Sequence, residues 1–522
     1  MLALAGASIV GPAARSQAAD PADAGAPPPA ATDDDDEGDD GGVALPVAPG
    51  DPAARKAWLT GQLDQALAAA PSLTAAAIGA VVLDVTTGEV LWAHDGDRPL
   101  SLASVAKVLT TTAALRSLGP GFRWRTTVYG EEFDAATGIV DGDLVIRGRG
   151  DPTFTERDLQ ALVRDLRWRG VTAVTGDLAF DGSYFDDVTE PPRYADQPKE
   201  RAGFRAPIGA ASLERNAVTV VVVPDRIGLG LAEVSLDPAP TDHVRLVEAT
   251  VATVDVGRTR ISVATDVKRD HLELRVTGQI AADDGVYFAR RRVDDPTAQF
   301  GDALRAALAD AGIRVRGRGI RARTLAPTDR VTVLAEHDSP PLAEVVRDMV
   351  KSSDNYLAET VLKTMGAEAR AAAGGAGATW DDGLAVVRQL LADVGVAPTS
   401  VRVENGSGLF DATSVPASAV ARVLAAGWRD FRIGPELAGA LAVGGVDGTL
   451  RKRFTGADVR GRIRGKTGTL AQVSSLAGLA GTDGLHPIAF VVLVNQLPPG
   501  TRADAKHLQE VIATLALAYS AP

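Results

Sequence analysis

Apolar positions first recur with helical spacing over 52–70 (Trp58, Leu59, Leu63, Leu67), which predicts one amphipathic helix. The next stretch, AAIGAVVLDVTTGEVLWAHD, breaks at Thr86–Thr87–Gly88 and reads as two strands joined by a tight turn. A helical stripe returns in SLASVAKVLTTTAAL, residues 101–115, through Val105, Val108, Leu109 and Ala113. From 126 to 340 strand-like runs dominate (GDLVIRGRGD, TAVTGDLAFDGSYF, AVTVVVVP, RISVATDV, LELRVTGQI). Two short helical segments interrupt them, ERDLQALVRDLRWRG and PTAQFGDALRAALADAGI. Beyond 340 helices dominate again, then three strands in VRGRIRGKTGTL, SSLAGLAGT and HPIAFVVLVNQ, and a last amphipathic helix within 501–519.

This order predicts an α/β (α+β) fold. Two early and three late strands form one five-stranded antiparallel sheet. Terminal helices cover one face and the 340–430 helices the other, with the helix after residue 104 inside the sandwich. The expected division is a main domain from 51–125 and 341–522, an inserted domain from 126–212 and 269–340, and a β-rich domain, 213–268, nested within it.

Composition narrows the function. The 522 residues carry a net charge of −13, but seven acids fall in DDDDEGDD, 33–40, leaving −6 elsewhere. No basic face for nucleic acid is implied. Residues 19–50 read as a disordered acidic linker. Residues 2–10 are apolar, and SQA stands before Ala19, so 1–18 reads as a signal peptide and the protein as secreted or periplasmic. No other apolar run is long enough to span a bilayer. The chain has no Cys, and its six His are scattered without an H-x-x-x-H pair. Thiolate zinc sites are excluded, and a zinc hydrolase or a Ser-His-Asp hydrolase is disfavoured.

Ser104 and Lys107 form an S-x-x-K tetrad at the start of a helix. Alone it reads equally as a capping serine. Two further motifs follow in order: Ser353-Asp354-Asn355, and Lys466-Thr467-Gly468-Thr469 on a predicted strand. The ordered set S-x-x-K, S-D-N, K-T-G is the signature of active-site serine penicillin-interacting enzymes. Its chemistry is coherent. A serine hydroxyl needs a positioned base, residues three apart share a helix face, and a lysine serves as base when burial or a neighbouring cation frees its amine. The chain has 45 Arg and 9 Lys, and arginine does not deprotonate at working pH, so a lysine in each of two motifs is informative. The Ser104 and Thr469 N–H groups can form an oxyanion hole. Ser353 can relay a proton to the leaving amine, Asn355 can hold a substrate amide, and Lys466, Thr467 and Thr469 can bind a terminal carboxylate. All three motifs lie outside 126–340, so the insert is expected to be separable from acylation.

The chain resembles the low-molecular-mass class C penicillin-binding proteins, D-alanyl-D-alanine carboxypeptidases and endopeptidases. Beyond the motifs, GDLVIRGRGDPTF, DGSYFD, APIGAASLERNAV, ENGSGLFD and LAVGGVDGTLRKR carry the resemblance over about 70–520, as does the 249-residue separation of Ser104 and Ser353. It implies the serine penicillin-binding/β-lactamase-like transpeptidase fold with two inserted β-rich domains. It also implies an acyl-enzyme on Ser104, peptidoglycan stem peptides as substrate, β-lactams as inhibitors and no cofactor. Asp411 stands where the family commonly has an Arg that reads the end of a diaminopimelate side chain. As an acid there, it is expected to repel that carboxylate and to alter side-chain preference. A β-lactamase is the first alternative, and the large insert argues against it. A catalytically inactive wall-binding protein is the second, and the intact motifs argue against it. Oligomeric state is not read from the sequence.

Overall fold

A computed structural model describes residues 43–482 and 486–521. The segment read as a signal peptide and the acidic run at 33–40 lie outside the described residues. Residues 43–50, read as the end of the linker, are placed against the main domain. Leu45 packs on the core of the terminal helices, and Arg55 Nε donates to the Pro49 carbonyl at 2.7 Å. The physical reason is that Val43, Leu45 and Pro46 supply apolar surface that the Ala/Asp stretch before them lacks.

The central sheet is built from β1 (Ala77–Asp84), β2 (Val90–His94), β3 (Ala442–Val443), β4 (Ile463–Leu470), β5 (Val473–Ala480) and β6 (Ile488–Asn495), in the order β2-β1-β6-β5-β4-β3. Every pairing is antiparallel. The sheet therefore has six strands, not five. The extra edge strand is two residues long, too short to leave a periodic signal in LAVGGVDG.

Alternation along the strands sorts side chains into two cores. Ala80 and Val82 of β1, with Phe490, Val492 and Val494 of β6, pack under the terminal helices Pro52–Ala68 and Arg502–Ser520. Val81 and Leu83, with Ala489, Val491 and Leu493, face the inner helices. On that side helix Ala106–Leu118 is buried at every position from Ala106 to Leu115. Helices Leu342–Lys351, Asn355–Ala372, Trp380–Asp393 and Ala417–Arg429 pack around it. Fully burying one Val or Leu contributes about 1.5–3 kcal/mol, and the strands at the centre are apolar on both faces.

The insert begins with Arg125–Glu131 and ends with Val331–Asp338, which pair antiparallel with each other in a five-stranded sheet. The nested unit reaches further than 268. Strands Leu272–Ala281 and Tyr287–Arg292 pair with Val244–Val254, Arg260–Val267 and Ala217–Val223. Their inward residues share one core running from Val218 to Val293. This corrects the expected boundary. The segment is strand and turn throughout, and alternation marks strands without saying which ones pair.

Candidate active site

Ser104 lies in a single 3₁₀ turn, Ala103–Val105, that feeds helix Ala106–Leu118. The preceding Ala103 has φ 45°, a left-handed conformation that costs an alanine energy and persists only where its surroundings impose it. Those surroundings come from three directions. The Ser101 amide donates to Asn495 Oδ1 at 2.7 Å, and Asn495 Nδ2 donates to the Ser101 carbonyl at 3.1 Å. The Leu102 amide donates to the Thr413 carbonyl at 3.1 Å. Gly408 presses on the turn, so that a Cβ there would stand 2.0 Å from the Ala103 carbonyl oxygen.

Lys107 follows Ser104 by one helical turn and is fully buried. Its Nζ donates to Ser104 Oγ at 3.0 Å, to Asn355 Oδ1 at 2.7 Å and to the Ser407 carbonyl at 3.2 Å. The first two motifs, 248 residues apart at this contact, thus meet on one amine. Asn355 opens helix Asn355–Ala372, whose N-cap is Asp354; the Asp354 carboxylate accepts from the Leu357 amide. Ser353 sits immediately before, with φ 59°.

The third motif lies inside β4, one residue short of its end. At Gly468 a Cβ would stand 2.5 Å from the Leu102 carbonyl oxygen and 3.1 Å from the Ser104 amide nitrogen. Glycine at this position is a close-approach requirement. Lys466, two residues back, projects on the same face of the strand. It is fully buried, and its Nζ donates to the Thr467 carbonyl at 2.8 Å. Thr467 is buried and Thr469 partly exposed. The Ser104 amide lies beside Gly468 in the Lys466–Thr469 stretch.

Several contributors carried no motif signal. Glu359, one helical turn beyond Asn355, is fully buried and accepts from the Gly406 and Ser407 amides at 2.9 and 2.8 Å. Burial pushes its carboxyl up, against those hydrogen bonds and the Lys107 charge. It fixes the loop whose Ser407 carbonyl meets Lys107. Its cue is the four-residue helical spacing from Asn355.

The insert also reaches the site. Arg215 Nη1 donates to Asp354 Oδ2 at 2.6 Å. Ser212 Oγ and Tyr356 Oη are 2.8 Å apart, and Tyr194 Oη is 3.4 Å from Ser407 Oγ. These residues lie in and near APIGAASLERNAV, a segment legible in the sequence as a signature without its partner.

Asp411 stands outside this cluster. Its side chain is 60% exposed, and its carboxylate is 3.6 Å from Arg402, which also donates to the Asp411 carbonyl at 2.6 Å. Arg402 and Arg193 both pair with Glu404, and Arg193 with Asp196. The acid is therefore part of a mixed-charge rim.

A family model for the D-Ala-D-Ala carboxypeptidase 3 (S13) family matches residues 59–518. The chain is 32% identical over 455 residues to a D-alanyl-D-alanine carboxypeptidase of Actinomadura sp. (strain R39), covering 81% of this chain and 79% of that one. It is 22% identical over 429 residues to the D-alanyl-D-alanine carboxypeptidase DacB of Haemophilus influenzae, covering 81% and 86%. The crystal structure of penicillin binding protein 4 (dacB) from Haemophilus influenzae superposes with TM-score 0.68 at 20% identity, over 87% of this chain and 98% of that one. The fold is thus the penicillin-binding, β-lactamase-like one. With its serine-lysine centre set in that fold, the chain belongs to the D-Ala-D-Ala carboxypeptidase S13 family and is a serine-type carboxypeptidase.

Proposed function

We propose that Ser104 is the nucleophile and Lys107 its base, in a reaction that removes the terminal D-Ala from peptidoglycan stem peptides through an acyl-enzyme. The observation that carries this reading is that the buried Lys107 amine lies in hydrogen-bond reach of both Ser104 Oγ and Asn355 Oδ1. Ser104 Oγ attacks the carbonyl of the penultimate D-Ala while Lys107 Nζ takes its proton. The oxyanion is held by the Ser104 and Thr469 amides. The C–N bond breaks as Ser353 relays the proton held by Lys107 to the departing D-Ala amine, which leaves Lys107 free again as a base. Asn355, whose Oδ1 is engaged by Lys107, has its Nδ2 to donate to a substrate carbonyl. Lys466, Thr467 and Thr469 take the free carboxylate. Water then hydrolyses the ester and regenerates Ser104. β-Lactams, which present an amide beside a carboxylate, acylate the same oxygen. One homologous structure, at 21% identity, is described as complexed with a novel β-lactam.

Such a substrate places the working protein outside the cytoplasm. Among the described residues no helix is long and apolar enough to cross a membrane. We assign catalysis to the unit made of 51–125 and 341–522, carrying an insert within which the nested β unit is embedded.

The test is release of free D-Ala from a synthetic stem peptide ending in D-Ala-D-Ala. Wild type should release it, and Ser104→Ala should reduce release to background with an unchanged melting temperature. Release by the alanine variant at the wild-type rate would exclude the mechanism.

A further inference from the structure

The S-D-N motif is held from the insert. Arg215 lies in a run of three left-handed residues, Glu214, Arg215 and Asn216, with φ 50°, 57° and 50°. Buried Asn216 fixes this turn, donating to the Pro207 and Ala211 carbonyls and accepting from the Leu213 amide. Arg290, from the nested unit, donates to the Glu214 carbonyl at 2.9 Å. The turn is thus built to aim one guanidinium at Asp354, whose side chain is only 15% exposed.

We propose, on the serine-acylation reading above, that Arg215 is a positioning residue for the reaction. It neutralises Asp354, so that this carboxylate does not hold Lys107 in the ammonium form, and it anchors the left-handed Ser353 turn from the insert.

The charges around both groups support this. Asp354 is paired with Arg215, and Arg290, Lys107 and the phenols of Tyr356 and Tyr194 are within electrostatic reach of it. Burial alone would raise its carboxyl. Arg215, the Leu357 amide, Arg290 and Lys107 together hold it below the ordinary carboxylate range, so it is anionic at working pH. Lys107 faces Ser104, Asn355, the Ser407 carbonyl, Asp354 and Glu359, with Lys466 on the strand packed against the nucleophile turn. Glu359 is held by two backbone amides. Asp354 is the anion near Lys107 that receives an arginine. Without Arg215 its charge falls more fully on Lys107, and an anion beside an amine favours the protonated form.

The experiment is the second-order rate constant for acylation by nitrocefin against pH, in the full chain. The proteins compared are wild type, Arg215→Lys, Arg215→Met, Asp354→Asn and the double variant Arg215→Met/Asp354→Asn. Arg215→Met should acylate about tenfold more slowly at neutral pH, with the acid limb of its profile moved up by about one pH unit, the tenfold equivalent. Arg215→Lys should stay close to wild type. Asp354→Asn, placed in the Arg215→Met background, should return the limb to its wild-type position.

A structural role alone would slow Arg215→Met without moving the limb, and the double variant would stay slow. Either result overturns the proposal, as does an Arg215→Met profile that overlays wild type. If Arg215→Met fails to fold, the double variant decides: a wild-type limb supports the proposal and a slow, unshifted profile defeats it. A wild type that does not acylate at Ser104 defeats the serine reading and this proposal together, whereas failed rescue defeats this proposal alone.

Discussion

Gly468 lies so close to the nucleophile turn that a Cβ on it would stand 3.1 Å from the Ser104 amide nitrogen and 2.5 Å from the Leu102 carbonyl oxygen. Both neighbours are backbone, so neither can rotate aside. Gly468→Ala must push β4 away from the turn and open the site proposed for the oxyanion. Removing one oxyanion donor costs about 10²–10³ in rate. Acylation by a β-lactam should fall by a factor in that range, and stopped-flow kinetics would measure it. Acylation within about threefold of wild type would show that β4 does not complete the oxyanion hole.

Lys107 tests the base by chemistry, not by charge. Lys107→Arg keeps the cation but cannot supply a free amine at working pH. Acylation by Lys107→Arg should drop about 10²–10⁴-fold, the usual worth of a general base, and should nearly match Lys107→Ala. An arginine variant within about tenfold of wild type would make Lys107 a cation that only orients Ser104.

The Arg215–Asp354 pair also predicts a pH-dependent stability. Asp354 has its folded-state carboxyl below the ordinary range, with burial opposing and Arg215 the leading favourable influence. Its stabilisation is present above the unfolded carboxylate value near pH 4 and is lost as pH falls through the folded value. Arg215→Met should therefore cost about 1–2 kcal/mol at pH 7, between exposed and buried ion pairs. The cost should shrink well below pH 4. Urea unfolding at the two pH values would measure it, and an equal cost at both would assign the loss to packing.

Asp411 should matter little. Its carboxylate is exposed and already pairs with Arg402, so its effect on a substrate carboxylate is partly cancelled. In a competition between stem peptides with lysine and with free diaminopimelate at the third position, Asp411→Arg should move the preference toward diaminopimelate. The shift should be less than tenfold, as expected for exposed charges worth about 0.2–1 kcal/mol, and added salt should reduce it. An unchanged ratio at low salt would place Asp411 away from the substrate.

Much of this architecture was legible along the chain. Short continuous apolar runs such as AIGAVVLD and IAFVVLVN, bounded by turn residues, mark the central strands, and their successive residues divide between two cores. The three motifs single out Ser104, Lys107, Asn355 and Lys466 because each is a fixed chemical type at fixed spacing. Long-range pairing was not legible. The alternation in LELRVTGQI marks a strand but not its partners, so a boundary at 268 cuts through the nested sheet. Arg215 was hidden for a similar reason. One arginine among 45 has no signature until the left-handed Glu214–Asn216 turn carries it to Asp354. Glu359 was hidden because a glutamate in a helix ordinarily faces water. Its burial follows from the loop amides it serves.

The central claim is that Ser104 Oγ forms a covalent ester, and the most direct measurement is mass spectrometry after incubation with benzylpenicillin. Intact wild-type protein should gain the mass of one penicillin, and peptide mapping should place it on Ser104 alone. Ser104→Ala, folded by circular dichroism, should gain nothing. An adduct on another residue, or an equal mass gain in the alanine variant, would contradict the account.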